Sequence, residues 1–169
     1  MEYLTIILRL VHVLGGVFWV GAALAMTYFI SPAVSATAEA GQKVMGHLMT
    51  QSKFSATMLT AGYSTVIAGA ILYWIDSDGF TSAWMSAGPG IGFGIGAVFA
   101  IIGLAAGLMI PRTAAAMGKL AAQFKGPPTP EQQAQMAALR NKQRTISTIN
   151  AYCLIVATVL MGVARYLRF

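Results

Sequence analysis

Residues Ile91–Ile110 read IGFGIGAVFAIIGLAAGLMI, an apolar run without a single ionisable side chain. About 20 apolar residues are needed for a helix to cross the ~30 Å hydrocarbon layer of a bilayer. Because backbone groups in lipid must be hydrogen-bonded within their own segment, this run predicts a transmembrane helix. Three further stretches meet the same criterion, at about 4–30, 54–75 and 146–166.

The composition of the whole chain agrees with this prediction. Of its 169 residues, 57% are hydrophobic and only 9% are charged, whereas a soluble domain carries about 25% charged residues. So few charges cannot coat a water-soluble monomer. We therefore predict an all-α integral membrane four-helix bundle, built as a single domain over residues 1–169, with the lipid bilayer as its principal partner.

The basic residues predict the orientation of the bundle. The connections 31–53 and 111–145 hold eight of the 11 lysines and arginines. Since cytoplasmic loops are enriched in these residues, both termini are expected outside the cytoplasm. The net charge of +6 is interpreted as this topology signal, and no nucleic-acid partner is expected.

The connection 111–145 carries its own helix signals. It breaks at residues 125–128, after which Thr129, Pro130 and Gln132 stand in a capping-box arrangement. We expect spans three and four to extend into the cytoplasm as a basic helical hairpin. The positive charge of this hairpin is explained by the positive-inside bias and by attraction to anionic lipid. The alternative is a more specific role, the docking of a cytoplasmic or membrane partner.

Stripes at helical spacing predict one packing face on span three and one on span four, with the partner helix of each left open. Small residues in a membrane helix allow a neighbouring helix to approach closely. In span three they are Gly92, Gly96, Ala100, Gly103 and Gly107. The packing face of span four is expected to consist of Asn150, Leu154, Ala157, Met161, Ala164 and Arg168.

Span one holds the most informative polar residues. Arg9 and His12 are three positions apart and share one helical face, and ionisable groups inside a span face protein or water rather than lipid. Gly16, one turn after His12, leaves room for a flat ring or a neighbouring helix. If spans one and four are neighbours, Met161 and Arg165 lie at a similar depth.

That set of residues suits heme b. His12 could bind the iron, Met161 could supply a second axial ligand, and Arg9 and Arg165 could pair with the propionates. The sequence leaves a plainer interpretation open, in which His12 bonds to a neighbouring helix, Met161 fills the core and the arginines anchor the helix ends.

A second candidate site lies near the start of span two. Met45, His47 and Met49 offer soft ligands suited to Cu(I). In a helix the two methionines share a face and His47 points nearly opposite, so a compact copper site would need the helix to begin later. The other interpretation is a surface histidine beside lipid headgroups.

The first span also resembles a known group of proteins. Residues 8–21, LRLVHVLGGVFWVG, followed by Ser31-Pro32, resemble the opening helix of copper-resistance D-like membrane proteins, of the related HemJ-type protoporphyrinogen oxidases and of small uncharacterised four-span bacterial proteins. The resemblance is greatest to the uncharacterised branch. In architecture the resemblance covers the whole chain, with four spans, a proline ending the first span and a basic connection before the fourth. It implies a location in the inner membrane of a bacterium.

The resemblance bears on function as well. In the HemJ group the histidine of this helix is tied to heme binding, which supports His12 as an axial ligand. Span three has no lysine where HemJ-like enzymes carry one, so enzymatic activity stays open. The copper-resistance branch implies copper transport or handling.

The functional hypothesis from sequence is thus a heme b-binding redox or accessory protein active in electron transfer. Its alternatives are copper handling, or a non-catalytic accessory subunit of a respiratory or photosynthetic complex. We expect a homodimer or membership of a larger membrane assembly.

Overall fold

The computed structural model describes residues 2–169, with the side chains of Ala38 and Thr50 excepted. Over that range the chain is helical, without any strand. Four helices are long and apolar enough to cross a bilayer: Glu2–Ala36, Phe54–Asp76, Gly88–Ala121 and Pro130–Tyr166. The prediction of an all-helical chain with four helices that could span a membrane is confirmed.

The structure divides these spans into six α-helices. They are α1 Glu2–Ala25, α2 Ser31–Ala36, α3 Ala38–Thr50, α4 Phe54–Asp76, α5 Gly88–Ala121 and α6 Pro130–Val163. A π-helical turn, Met26–Ile30, joins α1 to α2, and short 3₁₀ turns occupy Ala83–Ser86 and Ala164–Tyr166.

Pro32 does not end the first helix, in contrast to the expectation from the resemblance. It lies in the first turn of α2, and Ile30 and Ser31 before it keep right-handed helical dihedrals. The preceding turn is widened, since the N–H of Ser31 bonds to the carbonyl of Met26 five residues back. The helical path therefore continues to Ala36.

The connection that follows contains a helix of its own. Residues 38–50 form α3, and α2 and α3 pack against each other. At their joint Gly41 is buried, and a Cβ on it would collide with Thr37 and Val34. This close approach requires glycine and holds α3 against the end of the first span.

The order of helices in the bundle follows the chain. α1 packs on α4, α4 on α5 and α5 on α6, with a smaller contact between α1 and α6. Trp19 of α1 occupies the centre, where it is 4% exposed and clusters with Ala23 and with Leu154 of α6. A Cβ on Gly62 would lie 3.2 Å from the Trp19 ring, so glycine makes room for the indole.

The predicted stripes of spans three and four meet each other. Cβ atoms added to Gly96 and Gly103 would lie 3.1 Å from the side chains of Met161 and Leu154, respectively. Asn150, 3% exposed, donates from Nδ2 to the carbonyl of Gly103 at 2.7 Å. Close packing at these two faces is confirmed, and the partner of span three is span four.

The start of α6 has the predicted cap. The Thr129 hydroxyl accepts from the N–H of Gln132, and the Gln132 side chain accepts from the N–H of Thr129. These reciprocal bonds satisfy two N–H groups that a helix start leaves without partners. The capping box therefore fixes where the chain re-enters helix after the break at 122–129.

An aromatic cluster closes the connection between α4 and α5. Tyr73 contacts Trp84 edge-on at 5.3 Å between ring centres, and its hydroxyl donates to the carbonyl of Gly90 at 3.1 Å. The turn before it places Asp78, Gly79 and Phe80 at positive φ. Aromatic side chains with a polar tip are typical of the membrane interface.

Candidate functional site

The imidazole of His12 lies between α1 and α4. Its Nδ1 is 2.8 Å from the main-chain carbonyl oxygen of Thr65. A carbonyl only accepts hydrogen bonds, so Nδ1 carries the proton and donates. In the neutral ring Nε2 then holds a lone pair, and within residues 2–169 it has no hydrogen-bond partner.

Gly69 allows the ring to reach that carbonyl. A Cβ on Gly69 would lie 2.6 Å from Cε1 and 2.8 Å from Nδ1 of His12, far inside normal contact distance. Gly69 is one helical turn beyond Thr65, where a side chain would shield the carbonyl from a second donor. The glycine therefore exposes this carbonyl to the imidazole.

Next to this bond, two glycines of α1 face the side chain of Thr65, which is 7% exposed. A Cβ on Gly15 would lie 2.7 Å from its hydroxyl oxygen, and one on Gly16 would lie 3.5 Å from its methyl group. Among the described side chains the Thr65 hydroxyl is buried without a conventional hydrogen-bond partner.

This packing places a neighbouring helix beside Gly16. The sequence left room there for a flat ring or a neighbouring helix, and the structure fills it with Thr65 of α4. Gly16 thus acts as a helix-packing residue in this structure. Because Nδ1 of His12 is bonded to Thr65, Nε2 is the ring nitrogen that could bind a ligand or a metal.

Met161 is turned toward a different helix from His12. α1 and α6 do touch, but the Cγ of Met161 faces Gly96 of α5, while the His12 ring faces Gly69 of α4. The structure therefore shows no direct pairing of these two side chains. Arg9 on α1 and Arg165 in the last 3₁₀ turn are both exposed.

The other predicted set divides at α3. Met45 and Met49 line a cleft of about 1190 Å³ between α3 and the adjoining ends of α5 and α6, while His47 is exposed and lies outside its lining. Helical periodicity through α3 causes this division. The three residues do not form one compact ligand set.

Sequence reasoning missed several residues that the structure brings to these two places. Thr65 and Gly69 complete the surroundings of His12, and Met117 and Met136 join the other methionines in the cleft. The spacing of Ala61, Thr65 and Gly69, a small-residue stripe along span two, was a signal for the first pair. No sequence signal indicated that Met117 and Met136 would lie together, because they belong to separate helices.

Neither a clustered metal site nor a similar protein was found for the described part of the chain. Over residues 2–169, no group of three or more histidine, cysteine, aspartate or glutamate side chains is arranged to hold a metal ion. Comparison of the sequence and structure with protein-family models, with curated proteins and with solved structures found no match.

Proposed function

We propose that this chain is a membrane-embedded heme b-binding protein, serving electron transfer directly or as an accessory, with Nε2 of His12 as an axial ligand. One observation carries the proposal: the 2.8 Å bond between Nδ1 of His12 and the carbonyl of Thr65. A metal-binding histidine usually donates its second ring N–H to a carbonyl or carboxylate, which fixes the tautomer and the ring orientation. His12 makes that second bond within the protein.

The imidazole of His12 is chemically suited to bind the iron of a heme. Imidazole is a common axial ligand of heme iron, and a ring held in place by Thr65 and Gly69 needs little further ordering to bind. His12 lies eight residues after Leu4, roughly 12 Å along its helix. This depth is within the apolar part of the span, where a lipid-soluble macrocycle partitions favourably.

The arginines support the outer edge of the proposed site. Arg9 lies about one turn before His12 on the same helix, and Arg165 follows α6 at the same end of the bundle. A guanidinium pairs bidentately with a carboxylate, and both side chains are exposed and free to extend. Their role in this proposal is to bind the two propionates. When bound, the heme would supply one-electron redox chemistry.

The proposal assigns one axial ligand to this chain. Met161 as a second ligand stays a prediction, and its contact with Gly96 gives that pairing no support. Copper handling, the alternative from the sequence, gains less support than heme binding because His47 lies outside the cleft that Met45 and Met49 line.

The topology is part of the proposal. We propose a bacterial inner membrane protein with both termini outside the cytoplasm and the basic ends of α5 and α6 inside it. The positive-inside rule supports this orientation, since eight of the 11 basic residues lie in 31–53 and 111–145. It places His12 in the extracytoplasmic half of the bundle.

The test is the heme content of protein solubilised in a mild detergent, measured as the pyridine hemochrome. We expect about one heme per chain in the wild type, its loss in His12→Ala and its retention in His47→Ala, the matched control with the only other histidine. Wild-type protein with neither a Soret band nor extractable porphyrin would overturn the proposal.

A further inference from the structure

The methionine cleft between α3 and the ends of α5 and α6 has a wall suited to a hydrocarbon chain. Four methionines line it, two from α3, one from α5 and one from α6: Met45, Met49, Met117 and Met136. Methionine is unbranched, flexible and polarizable, and therefore adapts to ligands that have no fixed shape. Phe124 adds an aromatic surface to the same wall.

The charged residues of the cleft have a single sign. Lys119 and Arg140 line it together with uncharged polar side chains, and its described lining holds no carboxylate. Glu39 of the neighbouring α3 is already paired with Lys43 at 2.8 Å. The cleft is therefore complementary to an anion attached to an apolar body.

The position of the cleft along the bundle matches the bilayer boundary. Its lining includes Ser55, in the first turn of α4, and Pro111, which directly follows the apolar run Ile91–Ile110. Lys119 lies eight residues beyond Pro111, roughly 12 Å further along α5. Since lysine and arginine side chains reach back toward the interface, the two cations belong at headgroup level, beyond the ends of the apolar runs of spans three and four.

We propose that this cleft binds one anionic phospholipid, with its phosphate on Lys119 and Arg140 and an acyl chain along the methionine wall. The site is separate from His12 and does not depend on heme binding. The sequence indicated only a general attraction of the basic residues for anionic lipid. This proposal assigns one binding site, with Lys119 and Arg140 for the headgroup and the methionine wall for an acyl chain.

The experiment is native mass spectrometry of the detergent-solubilised full chain with added phosphatidylglycerol or phosphatidylcholine of identical acyl chains. Two basic side chains near an anionic headgroup predict a roughly 30-fold preference for phosphatidylglycerol. The Lys119→Gln/Arg140→Gln double variant should lose that preference. Arg112→Gln, a charge change at the same end of α5 but outside the lining, should keep it.

Three results would overturn the proposal: equal binding of both lipids by the wild type, an equal loss in Arg112→Gln and in the double variant, or full displacement of the lipid by inorganic phosphate. The last would show a site for free anions rather than for lipid. A second variant, Met117→Gln/Met136→Gln, tests the methionine wall and should weaken the binding of both lipids to the same extent. Heme content, measured on the same samples, should not change in any of these variants.

Discussion

Nδ1 of His12 and the main-chain carbonyl of Thr65, on two different membrane helices, are joined by a 2.8 Å hydrogen bond. The bond crosses the α1–α4 contact at a point where glycines from both helices remove steric obstruction. It fixes the tautomer of the ring and leaves Nε2 as the nitrogen with a lone pair. The proposed chemistry of the chain depends on this geometry.

Gly69→Ala is expected to disrupt the histidine site. The new methyl group would lie 2.6 Å from Cε1 of His12, so the ring must leave the Thr65 carbonyl. Overpacking of this kind lowers the free energy of unfolding by about 1–3 kcal/mol, and heme content should fall with it. Thermal unfolding in detergent and the pyridine hemochrome measure the two effects.

Gly162→Ala is the matched control for that variant, because a Cβ there meets no atom within 4 Å. It should leave heme content unchanged and keep or slightly raise stability, since alanine favours helix by up to about 1 kcal/mol. A Gly69→Ala protein with wild-type stability and wild-type heme content would contradict the placement of the His12 ring.

Asn150 should contribute to the stability of the α5–α6 contact through its bond to the carbonyl of Gly103 at 2.7 Å. Hydrogen bonds between membrane helices average about 0.6 kcal/mol and reach about 1.7 kcal/mol. Asn150→Leu should therefore lower the free energy of unfolding by an amount in that range. Asn150→Asp should lower it more, because a carboxylate would face a carbonyl oxygen. If unfolding in denaturant ranked the two variants in the opposite order, donation from Asn150 to Gly103 would not be what stabilises this contact.

Gly103→Val tests the close approach of the same two helices. A Cβ on Gly103 already lies 3.1 Å from Leu154, and the further methyl groups of valine have no space. We expect the helices to separate, with a loss of about 1–3 kcal/mol in the free energy of unfolding. Val98→Leu, on an exposed face of α5, should be neutral; an equal loss in both variants would count against specific packing at Gly103.

The proposed orientation is tested by labelling of single cysteines in a Cys153→Ser background. A membrane-impermeant maleimide added to intact cells should label Ala83→Cys, in the connection between α4 and α5, and should not label Gly126→Cys, between α5 and α6. Both positions are exposed, so access is decided by the side of the membrane. The reverse pattern would mean that the termini lie in the cytoplasm.

Much of this architecture was predictable because a bilayer imposes one dominant pattern on the sequence. The run Ile91–Ile110 requires a span, its glycine stripe requires a close partner, and Thr129 with Gln132 marks the start of α6. These are local signals, each present within one segment. The residues 38–50 were not delimited as a separate helix, because they mix apolar and polar side chains and lie between two spans.

The surroundings of His12 were less predictable for a physical reason. Its partner is a main-chain carbonyl, which every residue has, and that carbonyl is open to it because the residue at 69 is glycine. Which helix faces His12 depends on the order of the helices around the bundle, and this order cannot be read from the sequence. The same limit applies to Met161, whose depth was estimated from the spacing along α6 but whose direction depends on the contact with Gly96.

Chemical rescue of His12→Gly tests the central claim most directly, since it separates ligation by the imidazole from a structural role of the side chain. Purified His12→Gly protein would be titrated with hemin in the absence and presence of free imidazole, and the Soret band recorded. We predict no specific binding without imidazole and recovery of a wild-type spectrum with it. Wild-type hemin binding by His12→Gly without imidazole would contradict the assignment of His12 as the axial ligand.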